Sequence, residues 1–343
     1  MINTNDPKVI AFPHSPGSGG PGSFQVRLES ELRKRHWQIT YASHAYTGKP
    51  DVILVVGGTR RLLWLAQMKI RGVPIVHRLD GLLWLHRAYK SRYDARFRID
   101  AGLRNALSKI IHGVFANTIV YQSEFAAEWW GRERWSSPSF ETVIQNGVDL
   151  NLFSPGSLPV SSRRFPDVVC LEGALDYTPY AIELMNSMAE NLDKVGASLF
   201  VYGKFSSPIA ERNLHKNIFW KGAIDRNQTP EAYRNRIYLS LDINAACPNT
   251  VVEALACGAP VLGYDTGAVK ELVGDDAGEI IPFESDPWKG NKPSFAELFK
   301  GYLLIAADFQ KYKRNARQRA EDRFDINSMV DSYIDIFQRT ISR

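Results

Sequence analysis

Short apolar runs alternate along the whole chain with segments in which apolar residues recur at helical spacing. In the first half, Lys8–Phe12, Gln38–Ala42, Asp51–Val56, Pro74–Val76 and Thr118–Gln122 read as strands. In the second half the same reading falls on Val168–Leu171, Leu199–Tyr202, Val261–Tyr264 and Glu279–Phe283. Helical stripes lie between them: Val26, Leu28 and Leu32; Leu62, Leu63, Leu65 and Ala66; the EFAAEWW run after Ser123, a good N-cap; and Val251, Val252 and Leu255, stopped by Gly258 and Pro260. Ser294-x-x-Glu297 reads as a capping box opening a helix through Ala307. The last stripe, Ile326, Met329, Val330, Tyr333, Ile334 and Phe337, requires an apolar surface to dock on.

Strands alternating with helices in both halves imply α/β architecture, and 343 residues exceed the usual single core. The Pro/Gly/Ser-rich piece from Ser154 to Ser162 reads as a linker. The expected divisions are residues 1–155, 163–323 and a terminal helix at 324–343. In open sheets of this kind ligands bind beyond the carboxyl ends of the strands.

The stretch from Asn249 to Gly278 carries the most chemistry. A helix starting after a loop offers the N–H groups of Asn249, Thr250 and Val251 to a phosphate, and Glu253, one turn in, is placed to accept two hydrogen bonds from a ribose diol. Thr250-x-x-Glu253 is also a capping box, in which Glu253 serves only its own helix. After the first strand, PHSPGSGGPGSF contains a formal G-x-G-x-x-G, but the next strand ends at Ser43 where a dinucleotide site wants an acid. A flexible connection is the other reading of that loop.

EALACGAPVLGYDTGAVKELV with the following DDAG, and VIQNGVDLNLFSPG, resemble segments of the family-four retaining glycosyltransferases, and the resemblance extends over nearly the whole chain. It implies the GT-B fold, two doubly wound Rossmann-like domains facing an interdomain cleft, with the terminal helix crossing back to the first. It further implies transfer of a sugar from a UDP-, GDP- or dTDP-linked donor to a hydroxyl acceptor, either a glycan or lipid-linked. The anomeric configuration is kept, the leaving diphosphate takes the acceptor proton, and neither a cofactor nor a metal is needed.

In that family the residue matching Glu253 closes an E-x7-E motif and binds the donor ribose. Gly19, Gly20 and Gly22 match a loop approaching the donor phosphates, Gly173 stands at a donor-side strand end, and Ile218–Gly222 matches a strand whose following glycine turn borders the base. Four positions depart from the pattern. Ala245 stands where the first glutamate is expected, and Ala174 and Pro179 stand where an arginine and a lysine neutralise the diphosphate. Lys204 supplies a replacement charge or is an ordinary solvated lysine. Asp80 occupies the place of a catalytic histidine, where it either bonds a hydroxyl of a substrate or caps the turn at Gly81.

Charge sharpens the picture. Residues 1–155 hold 20 Lys+Arg against 12 Asp+Glu, while the rest of the chain holds 22 against 25. Between Arg60 and Lys109, 12 basic residues face Asp80, Asp94 and Asp100 alone, interleaved with Trp64, Leu82, Leu83, Trp84, Leu85, Tyr89, Tyr93 and Phe97. Such a stretch suits an anionic membrane surface; its alternative is aromatics in the core beside a solvated basic face or one gripping an anionic polysaccharide. Three scattered cysteines without C-x-x-C spacing argue against disulfides or zinc, and the seven histidines show no metal pairing. No apolar run reaches membrane-span length and no leader pattern opens the chain, so the expectation is a cytoplasmic protein, peripheral to the inner face of the membrane. Two other readings compete: a nucleotide-binding subunit of the same fold with weakened catalysis, and a nucleic-acid binder, against which the missing recognition motifs count.

Overall fold

The computed structural model describes residues 7–17, 19–42, 48–133, 140–156, 164–176, 178–205 and 213–343. The chain divides into two compact units, one of residues up to Asn146 together with Asn327–Arg343, the other Gly147–Ile326. Each is an α/β layer structure with a six-stranded, fully parallel sheet of the doubly wound kind.

In the first unit β1 (Val9–Phe12), β2 (Gln38–Tyr41), β3 (Val52–Val56), β4 (Ile75–Leu79), β5 (Thr118–Tyr121) and β6 (Phe140–Val143) lie in the order 2-1-3-4-5-6. The strands are short β-branched runs, and β3 and β4 are buried over nearly their whole length, as parallel strands covered on both faces must be. Sheet order reverses between β1 and β3, which leaves a crevice at their carboxyl ends.

The helices α1 (Gly19–Lys34), α2 (Leu62–Ile70), α3 (Leu85–Ala88), α4 (Ala95–Ile110) and α5 (Glu124–Arg132) connect these strands, with a π-helical turn at Ile111–Phe115 after α4. Ser123 caps α5, its hydroxyl accepting from Ala126 N at 3.0 Å. Helix α1 buries Phe24, Leu28 and Leu32, whereas Val26 is 53% exposed and does not belong to its core stripe.

In the second unit β7 (Val168–Ala174), β8 (Leu199–Lys204), β9 (Ile218–Trp220), β10 (Ile237–Leu239), β11 (Val261–Asp265) and β12 (Gly278–Pro282) give the order 12-11-10-7-8-9, with the switch point between β7 and β10. Helices α6 (Ala181–Lys194), α7 (Thr229–Tyr233), α8 (Asn249–Ala256), α9 (Val269–Val273), α10 (Phe295–Ala307) and α11 (Phe309–Arg323) cover this sheet. The polar, basic segment before Arg323 is helix α11, which packs on α8 through Ala316 and Ala320.

The unit boundary lies at Asn146 and Gly147, upstream of the Pro/Gly/Ser-rich stretch, whose residues 157–162 lie outside the described ones. Its cause is local pairing. Val148 N donates to Phe324 O at 2.8 Å, Ile326 N donates to Val148 O at 3.1 Å, and Phe153 is fully buried. The terminal helix α12 (Ile326–Ile341) is grouped with the first unit, setting Tyr333 against Phe24 and Phe337 against Trp37 with ring centroids 5.4 and 5.6 Å apart. Ile336 is buried in its stripe, while Ile334 is only half-buried. Thr118 and Thr340 hydroxyls bond at 2.9 Å, and Arg35 pairs with Asp331 at 3.2 Å.

Two capping boxes expected from sequence do not form. Helix α8 starts two residues earlier than Thr250 requires, with Pro248 at the N-cap, so Thr250 has helical geometry and its side chain cannot cap. Ser294 is the N-cap of α10 but makes no side-chain cap bond, and Glu297 turns instead to Lys300 Nζ at 2.7 Å.

Candidate functional site

In the first unit a cavity of about 600 Å³ opens at the carboxyl ends of β1, β3 and β4. Its polar lining comes from His14, Thr59, Arg60, Asp80, Arg104 and Ser108, and its apolar lining from Leu79, Leu83, Leu107 and Trp130.

Asp80 is fixed from below. Arg78, 1% exposed, donates from Nη1 to Asp80 Oδ1 at 2.7 Å and from Nη2 to Asn146 Oδ1 at 2.7 Å, while its guanidinium lies 3.7 Å over the ring of Phe24. Gln122 Nε2 also donates to Asp80 Oδ1, and the Trp130 indole N–H donates to the Asp80 carbonyl at 3.0 Å. The carboxylate therefore caps nothing at Gly81; the short helix α3 has Trp84 as its N-cap. Oδ2 faces Gly57, whose φ of +66° and lack of a side chain are both required, since a Cβ there would stand 2.6 Å from it.

His77 does not face the cavity. It is fully buried on β4 and its Nε2–H donates to the Gly57 carbonyl at 2.6 Å, which fixes its tautomer and steadies the turn against which Asp80 packs. Burial is the main force holding its pKa down to about 3, with the Gly57 bond opposing and His112 adding to the fall.

His14, which carries no signal in the sequence beyond following a strand, lines the cavity. Arg61 Nε donates to its Nδ1 at 3.4 Å, so the ring proton sits on Nε2 and is given to Thr59 Oγ1 at 2.7 Å. Burial, then the Arg61 charge, lowers the His14 pKa. Thr59 Oγ1 also accepts from Arg61 N at 3.1 Å, which leaves its own hydroxyl hydrogen to be donated elsewhere.

Gly19, Gly20 and Gly22 form the first turn of α1 rather than a free loop. A Cβ on Gly22 would collide with the Gly17 backbone, so Gly22 serves local packing; Pro21, between them, lines the cavity. Of the aromatic, basic stretch, Leu82, Trp84 and Leu85 are core residues and Phe97 is exposed.

In the second unit the expected residues gather along the carboxyl edge of the sheet. Helix α8 buries Val251, Val252, Ala254 and Leu255 completely, which anchors its first turn; Asn249 and Thr250 are half-buried. Glu253 is 7% exposed, with Arg226 Nη2 3.8 Å from its Oε1. Tyr233, also fully buried nearby, has a hydroxyl without a partner, and the Glu253 charge adds to the burial that raises its pKa.

Gly173 is exposed at the end of β7 with open space where a Cβ would lie. Gly222 accepts from Gly203 N at 2.8 Å. Gly203, with φ of +140°, cannot be replaced, because a Cβ would strike the Glu172 carbonyl. Lys204 is exposed, makes no ion pair among the described residues, and stands in register with Ala174 on the neighbouring strand. Ala245 is packed under the Gly267 turn, its carbonyl accepting from Ala268 N at 2.9 Å.

Two acids that sequence reasoning passed over lie at the switch point: Glu172 at the end of β7 and Asp242 just beyond β10. Tyr238 OH donates to Glu172 Oε1 at 2.9 Å. Burial first, then the charge of Asp242, pushes the Glu172 carboxyl well up, and burial lifts Asp242 to about 6. Among the described residues no group of three or more His, Cys, Asp or Glu is arranged to hold a metal ion, and Cys170, Cys247 and Cys257 are buried free thiols.

This edge of the second unit falls inside a recognised segment. Residues 170–318 match the family model for Glycosyl transferases group 1. The group 1 segment holds every expected donor-side residue from Gly173 to Glu253. Alpha-maltose-1-phosphate synthase of Mycobacterium tuberculosis is 26% identical over 89 residues, which span 26% of this chain and 23% of that protein.

Solved structures resemble the fold over nearly the whole chain. Sucrose-phosphate synthase from Thermosynechococcus elongatus matches with a TM-score of 0.72 at 15% identity, covering 98% of this chain and 99% of its own. The Anabaena protein HepE in complex with UDP-glucose matches with a TM-score of 0.68 at 14% identity, covering 97% and 99%. These likenesses establish the GT-B fold.

Proposed function

We propose that this protein is a glycosyltransferase that moves a sugar from a nucleotide-sugar donor to a hydroxyl acceptor with retention of configuration. The observation that carries the reading is Glu253, buried one turn into α8 within the group 1 segment, where the alternative role as partner in a Thr250 capping box is not available. Its carboxylate suits a ribose diol, and the Asn249–Val251 helix start suits the diphosphate. The binding of UDP-glucose by the HepE neighbour supports a UDP-linked donor ahead of a GDP- or dTDP-linked one.

The cavity of the first unit then takes the acceptor, a glycan or a lipid-linked glycan, with Asp80 receiving a hydroxyl hydrogen bond. In the reaction the bond between the anomeric carbon and the diphosphate oxygen breaks, the acceptor oxygen bonds to that carbon on the same face, and its proton passes to the departing diphosphate. Protein groups supply orientation and charge, and no cofactor or metal enters. Free buried thiols support a reducing, cytoplasmic setting, and with it the reading of a protein peripheral to the inner membrane face.

A second reading, a subunit that binds the nucleotide without transfer, draws on Ala174, Pro179 and Ala245 at positions where acidic or basic groups are expected. Calorimetric titration with UDP-, GDP- and dTDP-glucose, followed by product analysis with candidate acceptors, separates the two. Glu253→Gln is expected to weaken UDP-glucose binding about tenfold or more, since it removes a charged acceptor from a diol. Unchanged affinity would take Glu253 out of the donor site, and binding without any turnover would favour the second reading.

A further inference from the structure

Helix α4 has two unlike faces. Its inner face brings Arg104, Asn105 and Ser108 to the cavity and buries Ala101 and Asn105. On the opposite face Ile99, Leu103 and Ala106, at i, i+4 and i+7, form one uncovered stripe; Ile99 is 72% and Leu103 47% exposed. Only two of sixteen residues in this helix are buried, so tertiary packing does not account for the apolar stripe.

The stripe does not stand alone. Arg60 Nη2 reaches Asp100 at 3.1 Å, and Lys69 Nζ donates to the Val114 and Phe115 carbonyls, so α2 runs alongside α4 and its following turn. Leu63 and Ile70, seven residues apart on α2, are 83% and 86% exposed, and Val114 is 58% exposed. Half of the large hydrophobic residues exposed among the described residues therefore lie on these three adjoining elements. Cations surround them. From Leu85 to Ile110 there are seven Lys+Arg against Asp94 and Asp100, and Lys90, Arg96 and Arg98 are exposed and make no ion pair among the described residues.

We propose that the outer face of α2 and α4 docks on an anionic phospholipid bilayer, so that the acceptor entering the cavity walled by α4 is one carried in that bilayer. This rests on the glycosyl-transfer reading for the acceptor, though not for the docking. A soluble polysaccharide would need the cations but not the aliphatic stripe, whereas a bilayer takes both: the stripe enters the acyl boundary while the arginines stay at the headgroups. No helix of the described residues is long and apolar enough to cross a membrane, and the contact is interfacial.

The test is flotation of the full chain with vesicles of 30% phosphatidylglycerol in phosphatidylcholine, beside vesicles of phosphatidylcholine alone. Binding to the anionic vesicles is expected at low salt and weakens as salt is added. Each basic residue at such a surface multiplies binding about fivefold, so Arg96→Gln with Arg98→Gln should weaken it about 30-fold. Ile99→Glu with Leu103→Glu should abolish it, and because both side chains are exposed and neither lines the cavity, UDP-glucose affinity should stay at the wild-type value.

Failure to float, equal binding to neutral vesicles, or binding insensitive to the Ile99 and Leu103 substitutions overturns the proposal. So does a dimer in sedimentation velocity that Leu103→Glu dissociates in a protein that ignores vesicles, which would assign the face to a second copy. Vesicle binding in a protein that does not bind any nucleotide sugar would leave the docking standing and defeat the transfer reading instead.

Discussion

Lys204 stands in register beside Ala174, the last paired residues of β8 and β7. The residue that resemblance would make an arginine is an alanine, and the nearest strand end offers an exposed lysine in its stead. A charge lost from one strand is thus available from the next, though on a compact ammonium rather than a planar fork.

Lys204→Ala is expected to weaken UDP-glucose binding by about 1.5–3 kcal/mol, the range for a hydrogen bond to a charged group, with little effect on stability because the side chain is solvated. Ala174→Arg in that background should recover part of the loss. Equal titration isotherms for wild type and Lys204→Ala would return the residue to an ordinary surface role.

Asp80 must be tested so that folding and chemistry separate. Its partner Arg78 is buried, so Asp80→Ala strands a guanidinium and should cost about 3 kcal/mol or more of stability. Asp80→Asn keeps an oxygen for Arg78 and Gln122 while removing the charge facing the cavity. Near-native urea midpoints for Asp80→Asn, with transfer at least tenfold slower than wild type, are the expected pair of results. Transfer at the wild-type rate would remove Asp80 from the acceptor site.

Most strands and about half of the helices were legible because parallel β-strands are short, apolar and β-branched and amphipathic helices carry an apolar stripe, whereas strands β6 and β10 and helices such as α4 and α11 were not read. The approximate placing of Asp80 and Glu253 was legible too, since strand ends and helix starts are local features. What stayed hidden is tertiary. Glu172 and Asp242 meet only through the pairing of β7 with β10, and His14 is known as a cavity residue only once β1 and β3 lie side by side. Thr250-x-x-Glu253 misled because a capping motif in sequence says nothing of where the helix begins, and here Pro248 begins it.

His77 gives a stability prediction in acid. Its folded pKa, about 3, lies below the ordinary histidine value, so as pH falls below about 6.5 the unfolded chain binds a proton that the native state refuses. Stability should drop by about 1.4 kcal/mol per pH unit from this residue across that window, and the contribution is intact above it. Urea unfolding at pH 6.5 and 4.5 should show a loss smaller by about 2–3 kcal/mol in His77→Gln, which keeps a donor for the Gly57 carbonyl but cannot titrate. Equal losses in the two proteins would mean that other groups carry the acid sensitivity.

Glu172 and Asp242 give the opposite sign and touch function. Both folded pKa values are raised, so their contribution to stability is full below the ordinary carboxylate range and fades as pH climbs through about 6, where Asp242 ionises beside Glu172. Charge then accumulates at the β7–β10 switch point, where a doubly wound unit holds its ligand. A donor diphosphate placed there meets a neutral pair at pH 5.5 and an anion at pH 8. UDP-glucose suits the measurement, because its diphosphate diester has no ionisation in this range and any pH dependence belongs to the protein. Its Kd is expected to rise about tenfold between pH 5.5 and 8, equivalent to one pKa unit of coupling. Asp242→Asn should flatten the profile and hold the tighter value at pH 8, while Tyr238→Phe, which removes the hydroxyl that favours ionised Glu172, should move the fall to higher pH. A Kd that does not change with pH in the wild-type protein would show that the bound diphosphate lies outside the reach of this pair.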